Sequence, residues 1–342
     1  MADLLSFDEA LARSAEIDDL RHLLLGNGFS IACRSDCFSY GRLLDEADLT
    51  SLSVDGPGLF ESEGTTDFEE IVNALRVAAR MAAFYESVDR ELAARLAADA
   101  DLVKAALADT LARNHPGNVG DIELAEYERA RQFLANFGHI FTVSYDLLLY
   151  WALMAETELK FKADDGFRQD HDEPDAEWVR WDSYKPFKQN IYYLHGGLHL
   201  FEEGPVLKKL TFSRTGVALI DQIRAALDLE AYPLVITEGT SPEKFARIRH
   251  NDYLAKGLRS LATCKGSLFI HGHSLAANDA HVFRAVGGEG SYKALFVGLY
   301  GDPDSDDNTA IVKRAAEIAA DRPQGKSLAL HFYDSESASV WG

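Results

Sequence analysis

Five short polar clusters, each placed after an apolar run, hold most of the side chains in this sequence that could do chemistry. The first, Gly26-Asn27-Gly28-Phe29-Ser30, follows His22-Leu23-Leu24-Leu25. Glycines there would let backbone approach a pyrophosphate, and a helix beginning beyond them would offer free N–H groups and a favourable dipole. The same pattern also serves as a plain tight turn. The second, Thr142-Val143-Ser144-Tyr145-Asp146, has small polar groups able to hold a water or a ribose hydroxyl. Asp146 could accept from an amide; alternatively, Ser144 or Asp146 caps the helix that starts at Leu147. The third, Leu194-His195-Gly196-Gly197-Leu198-His199, sets a histidine beside two glycines. An imidazole, with its ordinary pKa of about 6.5, suits proton transfer near neutrality, with His199 as a supporting partner.

The fourth cluster is His271-Gly272-His273-Ser274, with Asn278, Asp279 and His281 downstream. Ser274 and the loop amides suit phosphate or ribose, and Asp279 either joins them or caps a helix. These histidines lack the His-Glu-x-x-His spacing, and no metal is expected on them. A fifth loop, Thr237-Glu238-Gly239-Thr240-Ser241-Pro242-Glu243-Lys244, either lines the same crevice or caps a helix at Thr240 or Ser241.

Clusters like these need strands to carry them. Strands are predicted at 22–25, 139–143, 191–194, 234–237, 267–270, 294–299 and 328–333. Several are continuous apolar runs, as in strands covered on both faces. Helical stretches are predicted between them at 216–228, 243–262 and 307–320, and Ser6 with Glu9 has the spacing of a capping box. Alternating strands and helices imply an α/β fold with a doubly wound, mostly parallel sheet, whose ligands sit beyond the carboxyl ends of the strands. From about 67 to 136 the pattern is helical throughout. Phe68, Ile71, Val72, Leu75, Ala79 and Ala82 recur at helical spacing, and Asp67 and Glu69 favour the N-terminal end. A helical module inserted at about 57–136 is therefore expected. Residues 158–190, rich in aspartate, read as an irregular acidic insertion, either a solvated loop or a lid.

Bulk properties narrow the function. The chain has 342 residues, 47% of them hydrophobic, enough for one large domain over 1–342. With 34 basic against 55 acidic residues the net charge is −21, which repels phosphate backbones and anionic lipid. Nucleic acid and membrane are not expected partners. Cys33, Cys37 and Cys264 cannot build a disulfide framework, and Cys33 and Cys37 lack a second pair to complete four ligands to zinc. The N-terminus is acidic where a signal peptide is basic, and no apolar run nears the roughly 20 residues of a membrane span. A cytoplasmic protein is expected.

The order of the clusters resembles the sirtuin series of a Gly-Ala-Gly-type loop, a Thr-Gln-Asn-Ile-Asp segment, a catalytic His-Gly and a Gly-Thr-Ser or Gly-Asn-Ser loop. More closely, Tyr-Asp-Leu-Leu-Leu-Tyr-Trp, Tyr-Leu-His-Gly-Gly-Leu-His-Leu and Gly-His-Ser with a downstream Asp-x-His resemble a bacterial sirtuin-like family of NAD-consuming antiphage effectors. The resemblance covers nearly the whole chain and implies a Rossmann-like, sirtuin-like fold. The four cysteines of the zinc ribbon of deacetylating sirtuins are missing, so hydrolysis of NAD to ADP-ribose and nicotinamide is the implied reaction. NAD is then substrate, and no metal is implied.

Carried over residue by residue, the resemblance makes Gly26, Asn27, Gly28, Phe29 and Ser30 the pyrophosphate loop and His195 the catalytic histidine. Asp146 meets the carboxamide, Gly272 and Ser274 serve the adenosine side, and Asp279 is a further NAD-binding residue. Ser144 stands where the family has an asparagine that holds the attacking water. Serine lacks the amide fork, so the alternative is an NAD or ADP-ribose sensor with little turnover. The resemblance also implies homo- or hetero-oligomers and a companion subunit or nucleotide signal that activates the enzyme.

Overall fold

The apolar runs at the centre of the chain pair with one another. The computed structural model describes residues 4–38, 40–85, 90–160, 162–182, 188–229, 231–236, 241–288, 290–322 and 327–342. The strands are β1 (Arg21–Leu25), β2 (His139–Thr142), β3 (Phe167–Arg168), β4 (Trp178–Trp181), β5 (Ile191–Tyr193), β6 (Leu200–Glu203), β7 (Val206–Leu210), β8 (Lys265–His271), β9 (Ser291–Leu299) and β10 (Ala329–Asp334). One sheet runs β10-β9-β8-β1-β2-β5 with every pairing parallel. Counted by appearance within that sheet, the order is 3-2-1-4-5-6, and the winding reverses between β1 and β8. Sheets of this order open a crevice at that reversal, beyond the strand ends. The inner strands are buried along almost their whole length, which explains their unbroken apolar sequences.

Helices flank the sheet. The first, Phe7–Ile17, starts at the expected capping box, with the Ser6 and Glu9 side chains each accepting from the other's backbone N–H. Between β1 and β2 every described element is helical, including Gly56–Glu63, Phe68–Tyr85, Arg90–Asn114 and Leu124–Leu134. Phe68, Ile71, Val72, Leu75 and Ala79 form the buried stripe of Phe68–Tyr85, and the first four join the same apolar core as the sheet. The stretch predicted at 243–262 is two helices, Ser241–His250 and Asp252–Thr263, parted by Asn251, whose side chain caps the second. Among the described residues no helix is long and apolar enough to cross a membrane.

Two sequence expectations need correction. Leu234-Val235-Ile236 is not a strand of the parallel sheet: Val235 makes a single antiparallel bridge to Gly196. The Gly197 amide donates to Leu234 O, and the Ile236 amide to His195 O. Val235 and Ile236 are buried and Leu234 half-buried, but what the run covers is the loop after β5. Residues 237–240 lie outside the described residues. The segment 158–190 is also more ordered than expected, since β3 and β4 pass through it into a second, antiparallel sheet, β3-β4-β7-β6.

Candidate functional site

A cavity of about 1000 Å³ lies over the carboxyl ends of the parallel strands, at the upper end of the range for small-molecule sites. Asn27 and Gly28 reach it from β1, Ser144 and Asp146 from β2, and His195 from β5. Gly272, Ser274 and Asp279 reach it from β8. Residues beyond β9 and β10, among them Tyr300, Asn308 and Glu336, extend it outward. Gly26, Phe29 and Ser30, expected to touch a ligand, do not line it. Phe29 is buried under Trp341, whose Nε1 donates to Phe29 O at 2.8 Å, and it is Trp341 that faces the cavity.

The glycines of the first loop answer to another backbone. Gly28 N donates to Gly272 O at 2.8 Å, and Gly26 N donates to His271 O at 3.0 Å. A Cβ on Gly28 would sit 2.6 Å from Gly272 Cα, so a side chain there would force the two loops apart. Gly272 itself has φ +66, in the left-handed region that glycine enters without strain. The Phe29 and Ser30 amides turn back onto Gly26 O and Asn27 O. The close approach read from the sequence exists, and the partner it brings near is the loop after β8.

Asp146 gathers the second loop. Its Oδ2 accepts from the Ser30 and Ser144 hydroxyls, each at 2.5 Å, and its Oδ1 accepts from the Leu148 amide at 2.7 Å. Asp146 thus holds the first residue of the helix Leu148–Met154 and also lines the cavity. Ser30 holds this carboxylate from behind the cavity.

Behind His195 lies a buried polar chain. His195, 1% exposed, places Nε2 3.0 Å from His281 Nε2 and 3.8 Å from Asp279 Oδ1. Asp279 also meets His273 Nε2 at 3.2 Å and Lys244 Nζ at 3.3 Å. Lys244, fully buried, pairs with Glu69 at 2.5 Å, and Glu69 accepts from the Tyr145 hydroxyl at 2.5 Å. Burial pushes His195 well below its ordinary value, although Asp279 favours its charged form, so the ring is neutral at pH 7. Burial raises Glu69, opposed by Lys244. Burial opposes charge on both Lys244 and Asp279, yet their partners prevail, holding Lys244 above and Asp279 below the ordinary range. The arrangement offers a neutral base whose positive charge, once formed, faces a carboxylate.

His195, Asp279 and His281 could converge on a metal ion. The Lys244 ammonium, 3.3 Å from Asp279, already neutralises that carboxylate, and a dication beside it would meet strong repulsion.

Buried neutral histidines make stability depend on pH. Burial lowers His115, His271 and His281 to about 4 from 6.5. Between those values the unfolded chain binds protons that the folded chain refuses, so stability is lost as pH falls from about 6.5 toward 4. Each group contributes at most roughly 3 kcal/mol. Urea midpoints measured from pH 7.5 to 4.5 are expected to fall steeply below 6.5, and a flat profile would show these rings to be solvated.

One family covers this whole arrangement. Residues 23–341, from within β1 to Trp341, match a family described as a domain of unknown function, DUF4917. The chain belongs to the DUF4917 family. No curated protein matches it. In this DUF4917 chain the site contains two residues that sequence reasoning did not assign, Glu69 and Lys244. By sequence, Glu69 favours its own helix dipole, and Lys244 ends a loop that either lines the crevice or caps a helix. Only the fold brings together an ion pair separated by 175 positions.

Proposed function

We propose that this chain is a sirtuin-like NAD glycohydrolase, with NAD as substrate and ADP-ribose and nicotinamide as products. One observation carries the reading: His195, Ser144, Asp146, Gly28 and Ser274, drawn from four separate strand tips, line a single cavity at the reversal between β1 and β8. A crevice in that position is where dinucleotides lie in sheets of this order. The charge distribution supports the same orientation. The inner end carries Asp146 and Asp279, with Glu69 raised toward neutrality by burial, and among the described residues the cation paired with them is Lys244. That surplus of negative charge favours a positively charged nicotinamide ring and the oxocarbenium-like transition state that follows.

In the proposed reaction the bond between ribose C1′ and nicotinamide breaks, and its electron pair stays with the ring nitrogen. Water adds at C1′ and gives up a proton, which neutral His195 accepts while Asp279 steadies the resulting charge. As in the family it resembles, the chain would deplete NAD as an antiphage effector in the cytoplasm. It would act as a homo- or hetero-oligomer switched by a companion subunit or a nucleotide signal.

A second reading, an NAD or ADP-ribose sensor, is favoured by Ser144. Its hydroxyl donates to Asp146 and presents no amide to hold a water. Nicotinamide release by the purified chain and by Ser144→Asn separates the two. On the enzyme reading Ser144→Asn is expected to raise turnover by up to about 100-fold, the worth of one positioning group. If both proteins bind NAD in calorimetry yet release nothing over hours, with or without the companion, the sensor reading replaces the enzyme.

A further inference from the structure

The far end of the same sheet holds a second cluster of ligand atoms. His22 on β1 and His139 on β2 are register partners, with their Nδ1 atoms 3.2 Å apart. Cys264 immediately precedes β8, the neighbour of β1 on its other side. One ligand atom from each of the three lies within 4.8 Å of the other two. His22 is 4% exposed, and among the described residues its Nε2 has no hydrogen-bond partner. His139 and Cys264 are half-buried, which leaves a route in from solvent.

We propose that His22, His139 and Cys264 form a binding site for a zinc-class divalent cation at the amino-terminal edge of the parallel sheet. Two imidazoles and one thiol are the donors that borderline-soft cations select, and three protein ligands leave a fourth position for water. The facing imidazoles can share only one proton between them, and a cation would satisfy both lone pairs at once. Forming the sulfur–metal bond releases the Cys264 thiol proton to solvent, with no change in oxidation state. Binding therefore tightens as pH rises. The cation would tie β1, β2 and the entry to β8 together, and binding to the folded state alone raises the melting temperature. The ligands share no motif in sequence, which is why composition predicts no metal.

The full chain, stripped by a chelator, is titrated with Zn²⁺ in a calorimeter and with Co²⁺ in a spectrophotometer. One saturable ion per chain is expected, with a thiolate-to-cobalt charge-transfer band and a raised melting temperature. Cys264→Ser should abolish the band, and both Cys264→Ser and His139→Asn should weaken Zn²⁺ at least about tenfold, whereas Cys37→Ser should keep both signals. Absence of saturable binding, or a band that survives Cys264→Ser, overturns the proposal. The urea midpoint of metal-free Cys264→Ser, expected to match that of the metal-free wild type, checks that the variant keeps its fold.

Discussion

Lys244→Met is expected to destabilise the folded chain by about 3–5 kcal/mol, the usual cost of removing one partner from a buried ion pair. Lys244 is fully buried, and its ammonium lies between Glu69 and Asp279. Methionine fills the space and leaves two carboxylates without a counter-ion. Some of the cost is relieved because Glu69, already raised by burial, takes up a proton. The double variant Lys244→Met with Glu69→Gln should therefore be more stable than Lys244→Met alone. Urea unfolding of the wild type, both single variants and the double variant closes a cycle that isolates the pair. A loss below about 1 kcal/mol in Lys244→Met, with no coupling in the cycle, would show that the pair is hydrated.

The second large effect concerns His195. On the proposed glycohydrolase reading, His195→Gln lowers kcat for nicotinamide release by about 10²–10⁴, the range for loss of a general base. Glutamine can still hydrogen-bond within the buried chain but cannot take a proton. NAD affinity should change little, since the side chain acts on the reacting end. The decisive quantities are kcat at saturating NAD and the dissociation constant from calorimetry, with the urea midpoint as control for folding. A variant that is folded, binds NAD and turns over within about fivefold of the wild type would remove His195 from the chemistry.

The parallel sheet is legible because its inner strands are covered on both faces, so Leu23-Leu24-Leu25 and Leu268-Phe269-Ile270 carry no polar alternation. The same rule misleads at Leu234-Val235-Ile236, where burial comes from covering a loop. The antiparallel sheet stays hidden because Trp178–Trp181 is half-buried throughout and β6 turns exposed after Phe201, leaving little periodicity to detect. Within the site, residues that follow strands announce themselves. Glu69 and Lys244 do not, because a glutamate in the first turn of a helix and a lysine in a polar loop have ordinary local explanations. Trp341 escapes notice for the same reason, since nothing around it in sequence suggests that it faces a cavity rather than core.

The seam between the loops after β1 and β8 has a mechanical consequence. Gly26 and Gly28 are stitched backbone to backbone onto His271 and Gly272, with no room for a side chain between them. Such a floor resists widening, because the two central strands would have to unzip at their tips. Breathing must then come from the sides, where Leu107 and Leu111 on the long helix Arg90–Asn114 face the interior and Val340 and Trp341 form another wall. Residence time for any occupant would be set by how readily those walls part.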